Sequence, residues 1–406
     1  MAFRPLSSPG LSALLLGLLV LALSESSAEG RTPAPAPPPA SPPAAKPELS
    51  AYAEVPEEWG SGVEAVIERA YRECFRTFVI EGKVRTLRLP FAENSERSEL
   101  AGGDLKVTGG GKADPAALWE SIGKLFDSPD FSAYLGTLSD GREKIVFFDL
   151  PTRTWTASED RFLVERMLKG LYPGLPHRPA LLSRGEGAED SDIYDYVYCV
   201  GGLGIDCSGF AWHALRAVAK EGGLDLDAAV RREARLPRGA DPSLFVGASF
   251  FDPKGGRTRI LPDRLDALQP GDLLLFRGED GSFIHSCVVQ SVDLAAGKIR
   301  YLQSTDESPL DERGVHDSLL LFDPASPGAS LKDPGLDWRQ LRGVAFEGEP
   351  PSAFTDDGAR FRAYPESGGG IAVRLKALEK TVAKLRARAA KSASPLTAPL
   401  ATPGPK

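Results

Sequence analysis

Residues 206–210 read Asp-Cys-Ser-Gly-Phe and open the stretch DCSGFAWHALRAVAKEGG, whose spacing predicts a helix with Cys207 in its first turn. A thiol is a weak nucleophile until deprotonated, and its free pKa is about 8.5. The partial positive charge and free N–H groups at a helix N-terminus stabilise the thiolate. From Cys207, the apolar positions Ala211, Ala214, Leu215 and Val218 recur on one helical face, and Gly222-Gly223 is a stop signal. That places the thiol at the head of a packed stripe. An inert buried cysteine fits the same placement, so the decision rests on what accompanies it.

Nucleophilic catalysis needs a base within reach of the thiol and a third group that orients the base. Upstream lies Tyr198-Cys199-Val200-Gly201-Gly202, where the two glycines let the backbone run close to whatever occupies the site. Downstream, LQPGDLLLF (268–276) reads as a turn and an apolar strand, FIHSCVVQSV (283–292) as a second strand with His285, and KIRYLQST (298–305) as a third with Gln303. The chain has four histidines, so elimination is practicable. His213 is six residues past Cys207 and faces away round the helix, His177 follows Pro176 in a loop, and His316 lies in a turn-rich segment after Gly314. His285 alone sits mid-strand among apolar residues, where an imidazole needs a partner. Cys287 shares its face by strand alternation, and that face is expected to look toward the Cys207 helix. If the hairpin loop is Asp293 to Gly297, Val292 pairs with Lys298 and Cys287 falls opposite Gln303; a loop one residue longer or shorter puts Ser304 there. Gln303 has the longer reach and an amide able to fix the imidazole tautomer, with Ser304 and Asp306 as alternatives.

Tyr-x-x-Gly-Gly, Asp-Cys-Ser-Gly-Phe, Pro-Gly-Asp and the strand-borne histidine occur here in the order in which the NlpC-type cell-wall cysteine peptidases carry them, and the resemblance spans roughly residues 194–320. It implies a papain-like fold and a thiolate attacking an amide carbonyl, with Cys207, His285 and Gln303 catalytic; the family places His, Gln or Asn at the third position. It also implies substrate contacts from Tyr198, Asp206 and Ser208, and backbone N–H groups at 207 and 208 in the oxyanion hole. A carboxylate beside a thiol raises its pKa, so Asp206 is expected to turn away, either to cap the helix or to meet a substrate amine. The loop Leu203-Gly204-Ile205 is shorter than the family usually has, and Cys199 stands where a bulkier residue is common.

The elements around the site divide the 406-residue chain. Residues 1–28 read as a secretory signal peptide, with the apolar run LSALLLGLLVLAL and the small-residue cleavage site Ser26-Ser27-Ala28. Residues 29–50 are a Pro/Ala-rich linker. Residues 51–180 form an α+β region of unread role, with an amphipathic helix from Val63 to Phe78, a strand at 84–89, a helix from Asp114 to Phe126, a strand at 144–150 and a helix from Ser158 to Leu171. Residues 181–350 hold the hydrolase domain, including a polar insertion at 232–262 and a closing strand near 342–348. Residues 352–370 read as loop, and 366–391 contain a basic amphipathic helix marked by Ile371, Leu375, Leu378, Val382, Leu385 and Ala389. That helix either docks on the domain or touches an anionic membrane or wall polymer. Residues 392–406 are a Pro/Ala/Thr tail, expected to be disordered.

Net charge is −8, spread through the chain without an acidic block, which argues against nucleic acid as a ligand. The four cysteines match no zinc spacing, and with Cys207 kept free at most one disulfide can form. The expected fold is α+β: a central antiparallel sheet with the Cys207 helix, preceded by an extra α+β region. The expected function is that of an exported thiol protease, periplasmic or extracellular, hydrolysing peptidoglycan stem peptides without metal or cofactor. An amidase or acyltransferase of the same fold acting on another envelope component, and a non-catalytic wall-binding protein, are the alternatives.

Overall fold

The computed structural model describes residues 62–92, 114–139, 145–149, 154–158, 181–182, 187–197, 201–233, 235–236, 241–305, 314–340 and 357–393. All belong to one compact unit, Ala45–Lys406. The signal peptide, the linker, the helix expected to follow Ser158, His177, Tyr198, Cys199, Asp306, the strand expected near 342–348 and the C-terminal tail beyond Ala393 lie outside the described residues.

The first part of the chain forms α1 (Val63–Arg72), β1 (Phe75–Ile80), β2 (Lys83–Arg88), α2 (Pro115–Phe126) and α3 (Pro129–Leu138). Then come β3 (Ile145–Asp149), β4 (Thr154–Ser158), β5 (Leu181–Leu182), α4 (Asp190–Tyr196), α5 (Cys207–Glu221) and α6 (Leu226–Glu233). The remainder supplies β6 (Thr258–Ile260), β7 (Leu273–Arg277), β8 (Phe283–Asp293), β9 (Lys298–Thr305) and β10 (Gly314–Leu321). It closes with β11 (Asp337–Gln340), α7 (Asp357–Arg362), β12 (Ile371–Leu375) and α8 (Glu379–Ala393). The architecture is mixed α+β around a seven-stranded sheet of order β11-β10-β9-β8-β7-β12-β6, antiparallel throughout.

Several elements depart from the expectation, among them β6, which lies in the segment expected to be a polar insertion yet forms an edge of the sheet. The helix expected over Val63–Phe78 ends at Arg72, and Phe75 and Phe78 belong to β1. The run FRTFVI has strong strand propensity, and Glu81 (φ 51°) and Gly82 (φ 73°) make a two-residue turn that pairs it with β2. At the other end, Ile371–Leu375 is strand β12, inserted between β7 and β6, and the helix starts only at Glu379. Ala372 and Val373 are buried on opposite faces of the sheet, the pattern of a central strand. The central sheet therefore takes a strand from beyond residue 350. The segment read as loop also contains α7, a short helix against β7 and β11.

Two cores flank the sheet. On one face Leu273, Leu275, Val288 and Leu302 pack with Phe210, Ala214, Leu215 and Val218 of α5, with Ile67 and Tyr71 of α1, and with Val382 and Leu385 of α8. The apolar stripe of α8 is thus spent inside the protein. On the other face Leu274, Phe276, Cys287, Val289 and Tyr301 pack with Trp338 and Phe361. Cys287, and with it the alternation that includes His285, faces away from the α5 helix body; the expectation that this face looks toward α5 is wrong. The strand alternation was read correctly, but nothing in one strand says which of two covered faces receives the helix.

The β8–β9 register holds a compensation. The hairpin closes with Asp293 opposite Lys298, one residue tighter than expected, and an irregularity between Val289 and Ser291 absorbs one residue. Beyond it Val288 pairs with Leu302, the register in which Cys287 meets Gln303.

Candidate active site

Cys207 is the first residue of α5. Asp206 precedes it in extended conformation as the N-cap, its carboxylate accepting from the Gly209 N–H at 2.5 Å and from the Ser208 hydroxyl at 3.0 Å. The carboxylate is therefore turned into the helix start, where it satisfies an orphan donor. Ser208 is buried and holds that carboxylate.

The Cys207 sulfur lies 3.8 Å from the carbonyl oxygen of Ile284, in the peptide unit that joins Ile284 to His285. A register shift between β7 and β8 at this point pairs Phe276 with His285 and Arg277 with Phe283, leaving Ile284 as the extra residue. Ile284 is 57% exposed, whereas Cys207 itself is buried. Bulges of this kind re-aim side chains beside active sites. Here the bulge accompanies the contact of a sulfur from the helix side with the Ile284 carbonyl, one residue before a histidine belonging to the opposite face.

His285 is buried, its ring edge-on to Phe276 at 5.3 Å between centroids. Its Nε2 is 2.6 Å from Gln303 Oε1. Gln303 in turn donates from Nε2 to Asp357 Oδ2 at 2.7 Å and to Ser318 Oγ at 3.0 Å. Cys287 donates its S–H to Gln303 Oε1 at 3.4 Å; burial, with a smaller contribution from the Asp357 charge, pushes this thiol well above its usual range and keeps it protonated. Ser304 points the other way and donates to the Ile205 carbonyl at 2.6 Å, tying β9 to the loop that enters α5. Of Gln303 and Ser304, Gln303 is the one brought to His285. Tyr198 and Asp306 lie outside the described residues.

The other described histidines are engaged elsewhere. His213, on α5, turns to the C-terminal end of α1, 3.0 Å from Glu73 and 3.2 Å from the Ala70 carbonyl. His316 is not in a turn but in β10, buried, with Nδ1 3.2 Å from Arg88 Nη1. Gly314 at φ 124° marks the start of that strand and supplies the apparent turn signal. A cleft of about 850 Å³ lined by Arg69, Glu73, His213, Arg216 and Lys220 contains none of Cys207, His285 and Gln303.

Asp357 carries no signal in the sequence that marks it as part of the site. It is fully buried and accepts from the Tyr301 hydroxyl at 2.8 Å, Gln303 Nε2 at 2.7 Å, Gln340 Nε2 at 3.1 Å and Arg360 Nη1 at 3.3 Å. A buried orienting glutamine has two amide hydrogens that require acceptors, which signals that such a group exists. Nothing local tells which of 56 acidic residues supplies it.

The N-terminal region forms part of the site's frame. Pro90 accepts from the Ile205 N–H at 2.9 Å, and a Cβ on Gly204 would stand 2.5 Å from the Pro90 oxygen. Among the described residues no group of three or more His, Cys, Asp or Glu is placed to hold a metal ion. The chain matches no protein-family model, no curated protein and no solved structure.

Proposed function

We propose that the protein is an exported cysteine hydrolase of papain-like fold, similar to NlpC-type peptidases, that cleaves an amide bond in peptidoglycan stem peptides. One observation carries the reading: a helix-head thiol lies against the peptide unit of a strand histidine whose far nitrogen is held by a buried glutamine. Cys74 differs in lying fully inside the core and not at a helix head, donating to the Ala70 carbonyl at 3.6 Å and pushed up by burial and then by Glu73.

In the proposed reaction His285 takes the Cys207 proton and the thiolate attacks the substrate carbonyl carbon. The resulting oxyanion is met by backbone N–H groups of the first turn of α5, aided by the helix dipole; such a donor is worth about 3–4 kcal/mol in other hydrolases. The C–N bond breaks as the imidazolium returns its proton to the departing amine, leaving a thioester on Cys207. Water, deprotonated by His285, attacks the thioester, releases the carboxylic acid and restores the thiol. Gln303 moves no proton; it fixes the ring.

The test is mass spectrometry of purified peptidoglycan digested with the mature protein. New amine and acid termini within stem peptides, absent with Cys207→Ala, are the expected products. Intact stem peptides with both proteins would overturn the proposal.

A further inference from the structure

We infer that Asp357 is a positioning residue that dictates which nitrogen of His285 is basic, acting through the Gln303 amide. The inference rests on reading Cys207, His285 and Gln303 as the reacting set.

Gln303 uses all of its hydrogen-bonding capacity: Nε2 serves Asp357 and Ser318, and Oε1 serves His285 and Cys287. A primary amide has no intrinsic preference between this orientation and the one turned by a half-rotation. Its surroundings must choose, and Asp357 chooses. Oδ1 of that carboxylate takes the Gln340 amide and the Arg360 guanidinium, and Oδ2 takes the Tyr301 hydroxyl and Gln303. Burial, and then the Asp357 charge, push the Tyr301 phenol well above its usual range, so it donates. A carboxylate has nothing but acceptors to offer, so the amide must present its NH₂ there and its oxygen to His285. Turning it over would set oxygen against oxygen at 2.7 Å in a dry site.

The consequence passes to the imidazole. Gln303 Oε1 accepts only, so His285 Nε2 must carry hydrogen, and in the neutral ring Nδ1 is then the lone-pair nitrogen. Nδ1 is the ring nitrogen nearer the main chain. The Cys207 sulfur lies 3.8 Å from the carbonyl oxygen of Ile284, the main-chain group that precedes His285. Asp357 therefore sets which ring nitrogen is the base without touching substrate, thiol or imidazole.

Asp357→Asn sharpens the claim into an inversion. An asparagine must place NH₂ at one of the two oxygen positions, and Arg360, which cannot give up its charge, keeps the oxygen on the Oδ1 side. The new NH₂ then faces Gln303, whose amide turns over, offers NH₂ to His285 Nε2, and leaves the ring hydrogen on Nδ1.

The experiment is long-range ¹H–¹⁵N NMR of the imidazoles at about pH 8, where a histidine of ordinary pKa is neutral. Full-length protein carrying Cys207→Ala is used, with His285 assigned by its loss in His285→Gln. The expected spectrum shows Nε2 protonated and Nδ1 not; adding Asp357→Asn is expected to move His285 to the Nδ1–H form. With Cys207 present, Asp357→Asn is expected to lower kcat about 10- to 100-fold with little change in KM. A His285 already in the Nδ1–H form, or one unmoved by Asp357→Asn, overturns the inference. Should Asp357→Asn fail to fold, the Cys207→Ala spectrum alone decides. The spectra do not depend on turnover: the expected tautomers in a protein that cleaves no wall peptide would uphold this inference while removing the hydrolase reading.

Discussion

At the scale of single residues, the proposed chemistry makes Cys207 and His285 a unit, because a thiol without its base and a base without its thiol both leave the amide untouched. Cys207→Ala and His285→Ala are each expected to abolish hydrolysis, and the double variant to be no worse than either, since members of such a set are not additive. Gln303→Ala is expected to retain measurable activity, about 10- to 100-fold down in kcat, because orientation is lost and not a reactant. Ser304→Ala should leave kcat close to the wild-type value, its hydroxyl being committed to the Ile205 carbonyl. A larger loss from Ser304→Ala than from Gln303→Ala, in steady-state assays on the same wall substrate, would refute the assignment of the orienter. These residues were legible because their signals are short: a thiol after a helix-capping aspartate, and a histidine and glutamine on adjacent strands. Asp357 was not, because its relation to Gln303 spans 54 residues of sequence and a segment with no periodic pattern.

Individual elements are held in place by a charge cluster that ties α1 to the sheet. Arg300 on β9 pairs with Asp317 on β10 at 2.8 Å and with Glu68 on α1 at 2.5 Å, and Glu68 also takes Arg72 at 2.8 Å. Burial alone would lower the Arg300 pKa, but Asp317 and Glu68 outweigh it and keep the guanidinium charged. Removing one member of a buried set leaves the others unpaired, which costs about 3–5 kcal/mol. Arg300→Met is therefore expected to be severely destabilising in urea denaturation, whereas Lys124→Met, whose partner Glu120 is 70% exposed, should leave the midpoint almost unmoved. A mild effect of Arg300→Met would mean that the sheet holds α1 by apolar contact alone. Element types were mostly legible, including α2 with its Asp114 cap and the three site strands. The failures have physical causes. Phe75 and Phe78 fall on helical spacing by coincidence, and the Glu81-Gly82 turn outweighs that spacing. Ile371–Leu375 satisfies helical and strand patterns alike, so the vacancy between β7 and β6 decides.

Over the whole molecule, one core joins regions that the sequence sets apart. Ile67, Tyr71 and Leu87 from the N-terminal region share a cluster with Leu215 and Val218 of α5 and Leu385 of α8. Expressed without the first 92 residues, the remainder would expose that apolar surface, and it is expected to be unfolded or aggregated by circular dichroism and size-exclusion chromatography. Buried ionisable groups also set the alkaline limit. Burial pushes the Cys74 and Cys287 thiols and the Tyr71 and Tyr301 phenols up. Unfolded, these groups ionise near about pH 8.5 and about pH 10, below their native values, so the unfolded chain releases protons first as pH rises. Their contribution is complete below about pH 8 and is lost on the way up through those native values. The Tm is expected to fall between about pH 8 and about pH 10, and Cys74→Ala, though less stable at neutral pH, should show a shallower fall. A fall of equal steepness in the variant would exclude Cys74 as a contributor.

The central claim, that Cys207 is an activated nucleophile, is tested most directly by the pH dependence of its alkylation. Iodoacetamide is added to the protein across about pH 5 to about pH 9, and peptide mass spectrometry measures the rate at each cysteine. Cys207 is expected to react first, at a rate already high below the free-thiol pKa of about 8.5, in proportion to the loss of hydrolysis; His285→Ala should return its profile toward that of a free thiol. First labelling of Cys74, Cys199 or Cys287 with activity intact would contradict the account, as would a Cys207 profile unchanged by His285→Ala.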